Sequence, residues 1–260
     1  MERVYEHEPA RASEEPSRIE VGRGSSRLCE TRRVPSALVT GGSSGIGLAI
    51  ARALGEDGYS LTLAARNSER LDSAAEELGA VAIVTDVSKE EDCVALVAAH
   101  AEAHDGGLDV LVCSAGVGIA GTVGSTTTKQ FDLQQAVNLR GAFLVTREAL
   151  PMLRASRGYV VNLASIAGTI PTPGLSSYGA AKAALVALTR SLAREEAEHG
   201  VRATALCPGF VDTPMAEWTG LEGDQLIQPE DCAELVRALL RLSPSARVPV
   251  VVIERLGEAV

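Results

Sequence analysis

The sequence predicts an α/β fold, in which helices cover both faces of a doubly wound parallel sheet of seven strands. Two observations lead to this prediction: short β-branched runs alternate with Ala- and Leu-rich stretches from Pro35 onward, and the runs themselves are almost wholly apolar. Parallel strands need a helix between them to return the chain, and helices on both sides bury the sheet. A third observation is a Gly-rich turn directly after the first run, where such sheets bind ligands.

The elements follow one another in regular order along the chain. The seven predicted strands are Ala37–Thr40, Ser60–Ala64, Ala80–Thr85, Leu108–Cys113, Gly158–Leu163, Val201–Leu206 and Val248–Ile253. Apolar residues recur with helical spacing between them, and the predicted helices are Ile46–Leu54, Ser68–Leu78, Lys89–Ala103, Lys129–Leu153, Ser176–Glu198 and Pro229–Leu242. Ligands of such a sheet bind beyond the carboxyl ends of the strands, so the residues that follow each strand are the candidates for a site.

Composition and charge exclude several classes of function. The chain has 24 basic and 34 acidic residues and a net charge of −10, so it offers no broad cationic surface for nucleic acid or anionic lipid. Its five cysteines are widely spaced without a Cys-x-x-Cys motif or Cys/His cluster, which indicates neither a disulfide framework nor a metal site. Residues 110–128 and 158–181 are uncharged, but polar residues, Gly or Pro interrupt both, which argues against membrane spans.

Residues 1–33 differ from the rest of the chain. They contain seven Arg and seven Glu, few large apolar residues and no sustained periodicity, so they cannot bury enough surface to offset their ordering entropy. We predict a disordered N-terminal extension over residues 1–33 and a single domain over residues 34–260. The N-terminus lacks an apolar signal core and is rich in glutamate, from which we expect a cytoplasmic protein.

The first predicted strand leads into the sequence Thr-Gly-Gly-Ser-Ser-Gly-Ile-Gly at residues 40–47. Glycines here let the backbone turn sharply and approach a pyrophosphate, which then lies at the positive N-terminal end of the following helix. The sequence therefore predicts a dinucleotide site, although a Gly-rich loop alone also fits a flexible turn. The residues predicted to contact the cofactor are Gly41, Ser43, Ser44, Gly45, Ile46 and Gly47.

The ends of the next two predicted strands indicate which dinucleotide is bound. In NAD-binding sheets an acidic residue at the end of the second strand holds the ribose 2′-hydroxyl, whereas Arg accommodates a 2′-phosphate. Here the acidic residue is missing and Arg66 is present, which favours NADP(H) over NAD(H) unless Arg66 is an ordinary surface residue. Asp86 and Val87 follow the third strand, where a carboxylate can accept a hydrogen bond from an adenine amino group or cap a turn.

Ser165, Tyr178 and Lys182 are the candidate catalytic residues. Tyr178 and Lys182 are four residues apart on a predicted helix and so share one face. A free tyrosine has a pKa of about 10, and we expect the nearby ammonium to lower that pKa, which makes the phenol a usable general acid and base. Ser165 ends the preceding strand, from where its hydroxyl can bond the same substrate oxygen. An ordinary amphipathic helix with a Tyr/Lys pair is the alternative.

Together these motifs resemble those of the classical short-chain dehydrogenase/reductase family, from Pro35 to the end of the chain. The matching segments are TGGSSGIG at 40–47, DV at 86–87, CSAG at 113–116, VNLRG around Asn138, NLAS ending at Ser165, YGAAK at 178–182 and CPGFVDT at 207–213. The resemblance implies a Rossmann fold and NAD(P)-dependent interconversion of a carbonyl and an alcohol.

The resemblance also implies a role for each matching residue. Tyr178 protonates the carbonyl oxygen while C4 of the nicotinamide delivers hydride, Lys182 binds the nicotinamide ribose and tunes the tyrosine, and Ser165 positions the substrate oxygen. Asn138 holds a water that relays protons to Lys182. Cofactor contacts are further implied for Tyr178, Lys182, Cys113, Ala115, Gly116, Pro208, Gly209, Val211 and Thr213.

Two departures from the family pattern affect these expectations. CSAG at 113–116 replaces the usual Asn-Asn-Ala-Gly, so two amides that brace the adenine pocket are missing, and we expect Cys113 to be a small buried residue rather than a nucleophile. The C-terminal sequence VPVVVIERLGE lacks the common Gly-Gly ending, which bears on tetramer contacts. In the family, the helices predicted at Lys129–Leu153 and Ser176–Glu198 commonly form a dimer interface, which implies a homodimer or homotetramer.

Three hypotheses about function follow. We favour an NADP(H)-dependent oxidoreductase that acts on a small-molecule carbonyl or secondary alcohol, because the Ser, Tyr, Lys and Asn residues are all present. The second is an NADP(H)-binding sensor or scaffold without turnover. The third, an extended relative such as a sugar-nucleotide epimerase, needs a longer chain and a different glycine spacing. The lid region Met215–Gln228 combines apolar and acidic residues and does not identify the substrate.

Overall fold

A computed structural model describes residues 33–257, and within this range the chain forms seven β-strands and seven α-helices. The strands are β1 (Ser36–Thr40), β2 (Ser60–Ala65), β3 (Val81–Val84), β4 (Val110–Cys113), β5 (Tyr159–Leu163), β6 (Arg202–Pro208) and β7 (Val250–Ile253). The helices are α1 (Gly45–Glu56), α2 (Ser68–Leu78), α3 (Glu90–Ala103), α4 (Thr128–Gln135), α5 (Ala142–Ser156), α6 (Ser176–Glu195) and α7 (Pro229–Arg241).

All seven strands belong to one parallel sheet, in the order β3-β2-β1-β4-β5-β6-β7. The predicted fold class is confirmed. Thr40 at the end of β1 lies in register with Ala64 of β2 and Cys113 of β4, so the carboxyl ends of these strands share one edge. The chain winds one way through β2 and β3 and the other way through β4 to β7. The crevice between the loops after β1 and β4 is where such sheets bind ligands.

Two hydrophobic layers cover the sheet, one on each face. On one face, α1, α2 and α7 pack through buried residues such as Ile50 and Val236. On the other face, α3, α5 and α6 pack through residues such as Leu96 and Leu192. Every residue of β1, β4 and β5 is buried, which explains why these segments are continuously apolar in the sequence.

The observed strands agree with the predicted ones to within two residues at each end. β7 begins two residues later than predicted, because Pro249 has no N–H to donate to the ladder. β6 runs two residues further than predicted, since Cys207 and Pro208 still pair with β7. The helix predicted over Ser176–Glu198 ends at Glu195, after which the chain forms a 3-10 turn.

The single helix predicted over Lys129–Leu153 is wrong in detail. The structure has two α-helices, α4 and α5, joined by a π-helical segment at Ala136–Gly141. A π-turn has a wider hydrogen-bonded loop than an α-turn, so side chains after it change face. Asn138 lies within this segment, and its side chain is only 1% exposed. Helical periodicity in the sequence does not reveal such a local change of period.

The disordered extension predicted over residues 1–33 falls, apart from Arg33, outside the described residues. That prediction and the domain boundary that depends on it stay predictions. Within residues 33–257, no helix is long and apolar enough to cross a lipid bilayer.

Candidate active site

The loop between β1 and α1 folds so tightly that glycine is required in it. Gly41 has a φ of +70°, in the left-handed region that favours glycine. A Cβ built on Gly47 would lie 2.4 Å from the carbonyl oxygen of Gly41, and one built on Gly41 would lie 2.7 Å from the backbone nitrogen of Ala115. The loop therefore packs backbone against backbone, both on itself and on the loop after β4. Such packing brings main-chain groups to the crevice at the edge of the sheet.

The first turn of α1 begins without a side-chain cap, as do those of α5 and α6. Its N-cap residue Ser44 makes no side-chain hydrogen bond to the turn, and the turn holds no acidic residue. By contrast, Asn67 caps α2 and Thr127 caps α4 through their side chains. A helix start without such a cap directs its N–H groups and the positive end of its dipole towards an external anion. This geometry fits a pyrophosphate.

A polar cavity of about 440 Å³ opens beside this turn, at the carboxyl ends of β1, β2 and β3. Its walls include eight of the residues predicted to contact the cofactor: Gly41, Ser43, Ser44, Arg66, Asp86, Val87, Ala115 and Gly116. Arg70 also lines this cavity, and sequence reasoning missed it. Arg70 lies in the first turn of α2, four residues after Arg66, and that spacing is the only signal in the sequence that connects the two arginines.

Asp86 forms the turn after β3 and also lines the polar cavity. Its Oδ1 accepts hydrogen bonds from the backbone N–H and the hydroxyl of Ser88, at 3.1 and 2.7 Å. Burial acts to raise the pKa of Asp86, but the hydrogen bonds from Ser88 and the charge of Arg66 outweigh burial, and the pKa lies below its usual value. Asp86 is therefore ionised at neutral pH. Both interpretations of this residue, turn former and cavity residue, apply.

A second cavity, of about 760 Å³, lies beyond the carboxyl ends of β4, β5 and β6. Most of its lining is apolar, and it contains the three candidate catalytic residues. Gly116 lines both cavities, so the two adjoin at the loop after β4. The other predicted cofactor residues on its wall are Ile46, Pro208, Gly209, Val211 and Thr213.

Ser165 and Tyr178 contact each other in this apolar cavity. The Ser165 Oγ accepts a hydrogen bond from the backbone N–H of Ala167 at 3.2 Å, and its hydroxyl is near enough to the Tyr178 phenol to act on the pKa of that group. Burial raises the pKa of Tyr178, and the hydrogen bond from Ser165 acts against that rise. Tyr178 is therefore protonated at neutral pH, as a general acid must be before it donates.

The expectation that Lys182 lowers the pKa of Tyr178 is wrong for this structure. The Lys182 Nζ donates a hydrogen bond to the carbonyl oxygen of Leu163 at 2.5 Å and lies 5.7 Å from the centre of the Tyr178 ring. Burial raises the pKa of Tyr178, and the Lys182 ammonium donates its hydrogen bond to a backbone carbonyl. Burial also lowers the pKa of Lys182 itself, to about 8.

Asn138 fixes the loop after β4 through both ends of its amide. The Nδ2 donates to the carbonyl oxygen of Val117 at 2.8 Å, and the Oδ1 accepts from the Val117 N–H at 2.9 Å. A Cβ on Gly116 would lie 3.1 Å from that Oδ1 and 3.7 Å from the Lys182 Nζ, so these residues meet where the two cavities adjoin. The water that Asn138 is expected to hold stays a prediction.

Close backbone packing sets the distance between Ser165 and Tyr178. A Cβ on Gly179 would lie 2.7 Å from the carbonyl oxygen of Ala167, and a Cβ on Gly168 would lie 2.7 Å from the carbonyl carbon of Lys182. The short turn after β5 therefore rests directly on the backbone of α6. Any larger residue at either glycine would push the serine away from the tyrosine.

Gln134 is a polar residue of the site that sequence reasoning missed. Its side chain is fully buried. The Gln134 Oε1 accepts from the backbone N–H of Ile119 at 3.0 Å, and the Nε2 donates to the Ser177 Oγ at 3.1 Å. Ile119 lines the apolar cavity and Ser177 precedes Tyr178. One amide therefore connects the cavity wall to the start of the catalytic helix, and no pattern in the sequence distinguishes it from Gln130 or Gln135.

The prediction that Cys113 contacts a cofactor finds no support from its side chain. Cys113 is buried, its Sγ lies 3.9 Å from the Oγ1 of Thr146 in α5, and it lines neither cavity. Burial raises the pKa of this thiol to about 12, which agrees with the expected inert residue. Successive side chains of a strand point to opposite faces of the sheet. The residue after Cys113, Ser114, lines the apolar cavity instead.

Comparison with known proteins places this architecture among dehydrogenases. The family model described as short chain dehydrogenase matches residues 35–222. A curated relative, the 2-(R)-hydroxypropyl-CoM dehydrogenase of Xanthobacter autotrophicus, is 41% identical over 206 residues, which cover 75% of this chain and 79% of the relative.

Two solved structures share the fold over most of the chain. An alcohol dehydrogenase from the archaeon Thermococcus sibiricus, complexed with 5-hydroxy-NADP, superposes with a TM-score of 0.78 and 32% identity, over 84% of this chain and 95% of that one. The 3-ketoacyl-(acyl-carrier-protein) reductase from Brucella melitensis, complexed with NADH, has a TM-score of 0.78 and 29% identity, over 85% and 96%. The two neighbours thus hold different nicotinamide cofactors.

Proposed function

Because this chain belongs to the short-chain dehydrogenase family of oxidoreductases, we propose that it interconverts a carbonyl and a secondary alcohol with NADP(H). One observation carries the proposal: Ser165, Tyr178 and Lys182 line an apolar cavity that adjoins, at Gly116, a polar cavity holding Arg66. The residues of the polar cavity would hold the phosphates and adenosine of a dinucleotide, and those of the apolar cavity would hold its nicotinamide and the substrate.

The chemistry of the polar cavity supports NADP(H) over NAD(H). The start of α1 suits the pyrophosphate, since neither a capping side chain nor an acidic residue in that turn competes for its N–H groups. Arg66 and Arg70 provide two guanidinium groups for a 2′-phosphate, and the residue after β2 is not acidic. Asp86 lies on the same wall, where its ionised carboxylate can accept a hydrogen bond from the adenine amino group.

In the direction of reduction, the chain's own residues position the substrate and move a proton. The hydroxyls of Ser165 and Tyr178 donate hydrogen bonds to the carbonyl oxygen, which polarises the carbonyl. A reduced nicotinamide, when bound beside these residues, would supply the hydride for the carbonyl carbon. Tyr178 then gives its proton to the oxygen, which completes the alcohol and leaves a phenolate. The raised pKa of Tyr178 ensures that this proton is present at neutral pH.

Lys182 acts on the phenolate formed by that transfer. Its ammonium lies 5.7 Å from the centre of the tyrosine ring, within a buried site where charges interact more strongly than in water. The Leu163 carbonyl holds the ammonium in place. Asn138, at the same corner, is proposed to hold the water through which the tyrosine regains its proton.

The decisive experiment replaces Tyr178 with Phe and measures NADPH oxidation over a panel of ketones and aldehydes. We expect kcat/KM for an active substrate to fall at least about 10³-fold, because general acid catalysis is lost. Binding of NADPH, followed by its fluorescence, should stay within about threefold. The matched control is Tyr159→Phe, since Tyr159 is buried in β5 and bonds Thr204, outside both cavities. Unchanged turnover in the Tyr178→Phe variant would contradict the proposal.

We further propose that the protein acts as a homodimer through α4 and α5. Phe131, Leu133 and Phe143 on these helices are between 39% and 44% exposed, so a partner that packs on the two helices would bury apolar side chains. Light scattering on the purified protein and on a Phe143→Glu variant tests this proposal. A monomeric wild type would contradict it.

A further inference from the structure

The loop after β4 has a glycine, Gly118, on the wall of the apolar cavity. Tyr178 and Met215 line the same cavity. A Cβ built on Gly118 would lie 3.5 Å from the Met215 Sδ and 4.0 Å from the Cε2 of Tyr178. Both are distances of ordinary van der Waals contact. The absent side chain therefore leaves a space of methyl size that touches both residues.

The space at Gly118 lies beside the group proposed to donate the proton. The Cε2 atom of Tyr178 is bonded to the ring carbon that carries the hydroxyl, and this edge of the ring is the one that faces Gly118. A ketone whose oxygen accepts a hydrogen bond from that hydroxyl brings the two groups on its carbonyl carbon against the surrounding wall. One of these two groups can occupy the space that a side chain at residue 118 would fill.

Hydrogen bonds hold the backbone on both sides of Gly118. The Val117 N–H donates to the Asn138 Oδ1 at 2.9 Å, and the Ile119 N–H donates to the Gln134 Oε1 at 3.0 Å. The φ of Gly118 lies outside the left-handed region, so a larger residue can adopt this backbone conformation. Unlike Gly41 and Gly47, Gly118 is required neither by a turn nor by close backbone packing. Its effect is on the shape of the cavity.

Met215 bounds the same space from another segment of the chain. It lies in the 3-10 segment Pro214–Thr219, and its side chain is 46% exposed. The next residue, Ala216, is buried, and its N–H donates to the carbonyl oxygen of Thr213 at 2.8 Å. The backbone of this segment is thus held in place, and the Met215 thioether limits how large a group fits against Gly118.

We propose that Gly118 and Met215 determine the substrate class, which is a methyl ketone, or the corresponding secondary alcohol, whose methyl group occupies the space at Gly118. This inference rests on the proposed function. The larger group of the ketone extends along the rest of the wall, which is mostly apolar and includes Ile170, Pro171, Leu175 and Val211. One methylene group more or less in an apolar pocket changes kcat/KM about 10- to 200-fold. A space of methyl size therefore discriminates against longer alkyl groups.

The test uses three substrates that differ in the smaller group on the carbonyl carbon, with NADPH as reductant. Benzaldehyde carries hydrogen there, acetophenone methyl and butyrophenone propyl. For the wild type we expect kcat/KM for acetophenone to exceed that for butyrophenone at least about tenfold. Gly118→Ala fills the space, so the ratio of kcat/KM for acetophenone to that for benzaldehyde should fall at least about tenfold. Met215→Ala enlarges the space, so butyrophenone should gain at least about fivefold relative to acetophenone.

The matched control is Gly124→Ala. Gly124 belongs to the same connection between β4 and α4, and a Cβ there would meet nothing within 4 Å. This variant should leave all three values of kcat/KM unchanged. Binding of NADPH, followed by its fluorescence, should be the same in all the variants, because neither Gly118 nor Met215 lines the polar cavity.

A second measurement does not depend on turnover. With NADPH replaced by NADP⁺, which cannot reduce the ligand, acetophenone should raise the melting temperature of the wild type more than that of Gly118→Ala. Equal turnover of acetophenone and butyrophenone by the wild type, or an unchanged ratio of acetophenone to benzaldehyde in Gly118→Ala, would overturn the role of Gly118 and Met215 alone. Failure to reduce any ketone or aldehyde of the larger panel would overturn the proposed function, and this inference with it.

Discussion

The two cavities that adjoin at Gly116 are built in opposite ways. The polar cavity is shaped largely by backbone: Gly41 and Gly47 lie too close to main-chain atoms to carry a Cβ, and no side chain caps the start of α1. The apolar cavity is shaped by side chains that come from the loops after β4, β5, β6 and β7. A site built from backbone accepts only glycine at certain fixed positions, so it can be recognised as a motif in the sequence. A side-chain-built site depends on which loops the fold brings together.

The largest expected effect concerns the side-chain-built end, where Lys182 is buried. Lys182→Met should lower kcat/KM about 10³-fold, since the phenolate of Tyr178 loses its only nearby ammonium among the described residues of the cavity. Lys129→Met, at an exposed lysine on α4, is the matched control and should leave activity unchanged. Retention of more than a tenth of the wild-type activity would show that the ammonium is dispensable.

The same variant should be more stable than the wild type at neutral pH. Burial lowers the folded-state pKa of Lys182 to about 8, below the unfolded value of about 10.4, so the ammonium destabilises the fold wherever both states are protonated. Between pH 8 and 10.4 the folded lysine loses its proton first, and wild-type stability rises with pH relative to the variant. In urea unfolding, the difference in the free energy of unfolding between Lys182→Met and the wild type should decrease by about 2 kcal/mol between pH 7 and pH 10. A difference in the free energy of unfolding that does not change with pH would contradict the claim that burial lowers the pKa of Lys182.

The second prediction concerns the backbone-built end. Gly47→Ala places a Cβ about 1 Å too close to the Gly41 carbonyl oxygen, because the 2.4 Å contact cannot relax without moving the loop. We expect the dissociation constant for NADPH to rise at least about 10²-fold. The control is Gly55→Ala on the same helix, whose Cβ would meet only the Leu61 side chain at 3.3 Å. That substitution should change NADPH binding less than threefold, and equal effects at both glycines would show that the loop adapts.

This contrast explains what the sequence could predict. The order of strands and helices, the loop at 40–47 and the Ser, Tyr and Lys residues were all predictable, because each follows from a local pattern. Arg70, Gly118 and Gln134 were not, since each becomes part of a site only when distant segments meet. The lowered pKa expected for Tyr178 failed for the same reason: helical spacing places Lys182 on the correct face, but the direction of its ammonium depends on the Leu163 carbonyl.

The third prediction concerns Arg66. This side chain of the polar cavity, rather than the backbone, is proposed to distinguish NADPH from NADH. Arg66→Gln should raise the dissociation constant for NADPH about 10- to 100-fold and leave that for NADH within threefold, because only NADPH carries the 2′-phosphate. Arg66→Gln combined with Arg70→Gln should weaken NADPH binding further. The control is Arg52→Gln, which removes an exposed ion pair with Glu77. Equal losses for NADPH and NADH would show that neither arginine reads the phosphate.

The smallest effect is expected at Gln134, which holds backbone in place at the side-chain-built end. Gln134→Met removes the bonds to Ile119 and Ser177 and should raise KM about 5- to 10-fold, with kcat changed less than threefold, because the cavity wall moves while the catalytic hydroxyls remain. We expect a loss of about 1–3 kcal/mol in the free energy of unfolding, as for other buried polar groups that lose their partners.

The control variant Gln130→Met, on the same helix, distinguishes an effect on the position of the cavity wall from a general loss of stability. Gln130 completes the capping box of α4 with Thr127, is half-buried and lines neither cavity, so its replacement should lower stability by about 1 kcal/mol and leave both cavities unchanged. If both variants lose stability and only Gln134→Met raises KM, the buried amide shapes the cavity through the backbone of Ile119. If KM rises equally in both variants, a general loss of order in α4 explains the rise. The Gln134 amide then has no specific effect on the shape of the apolar cavity.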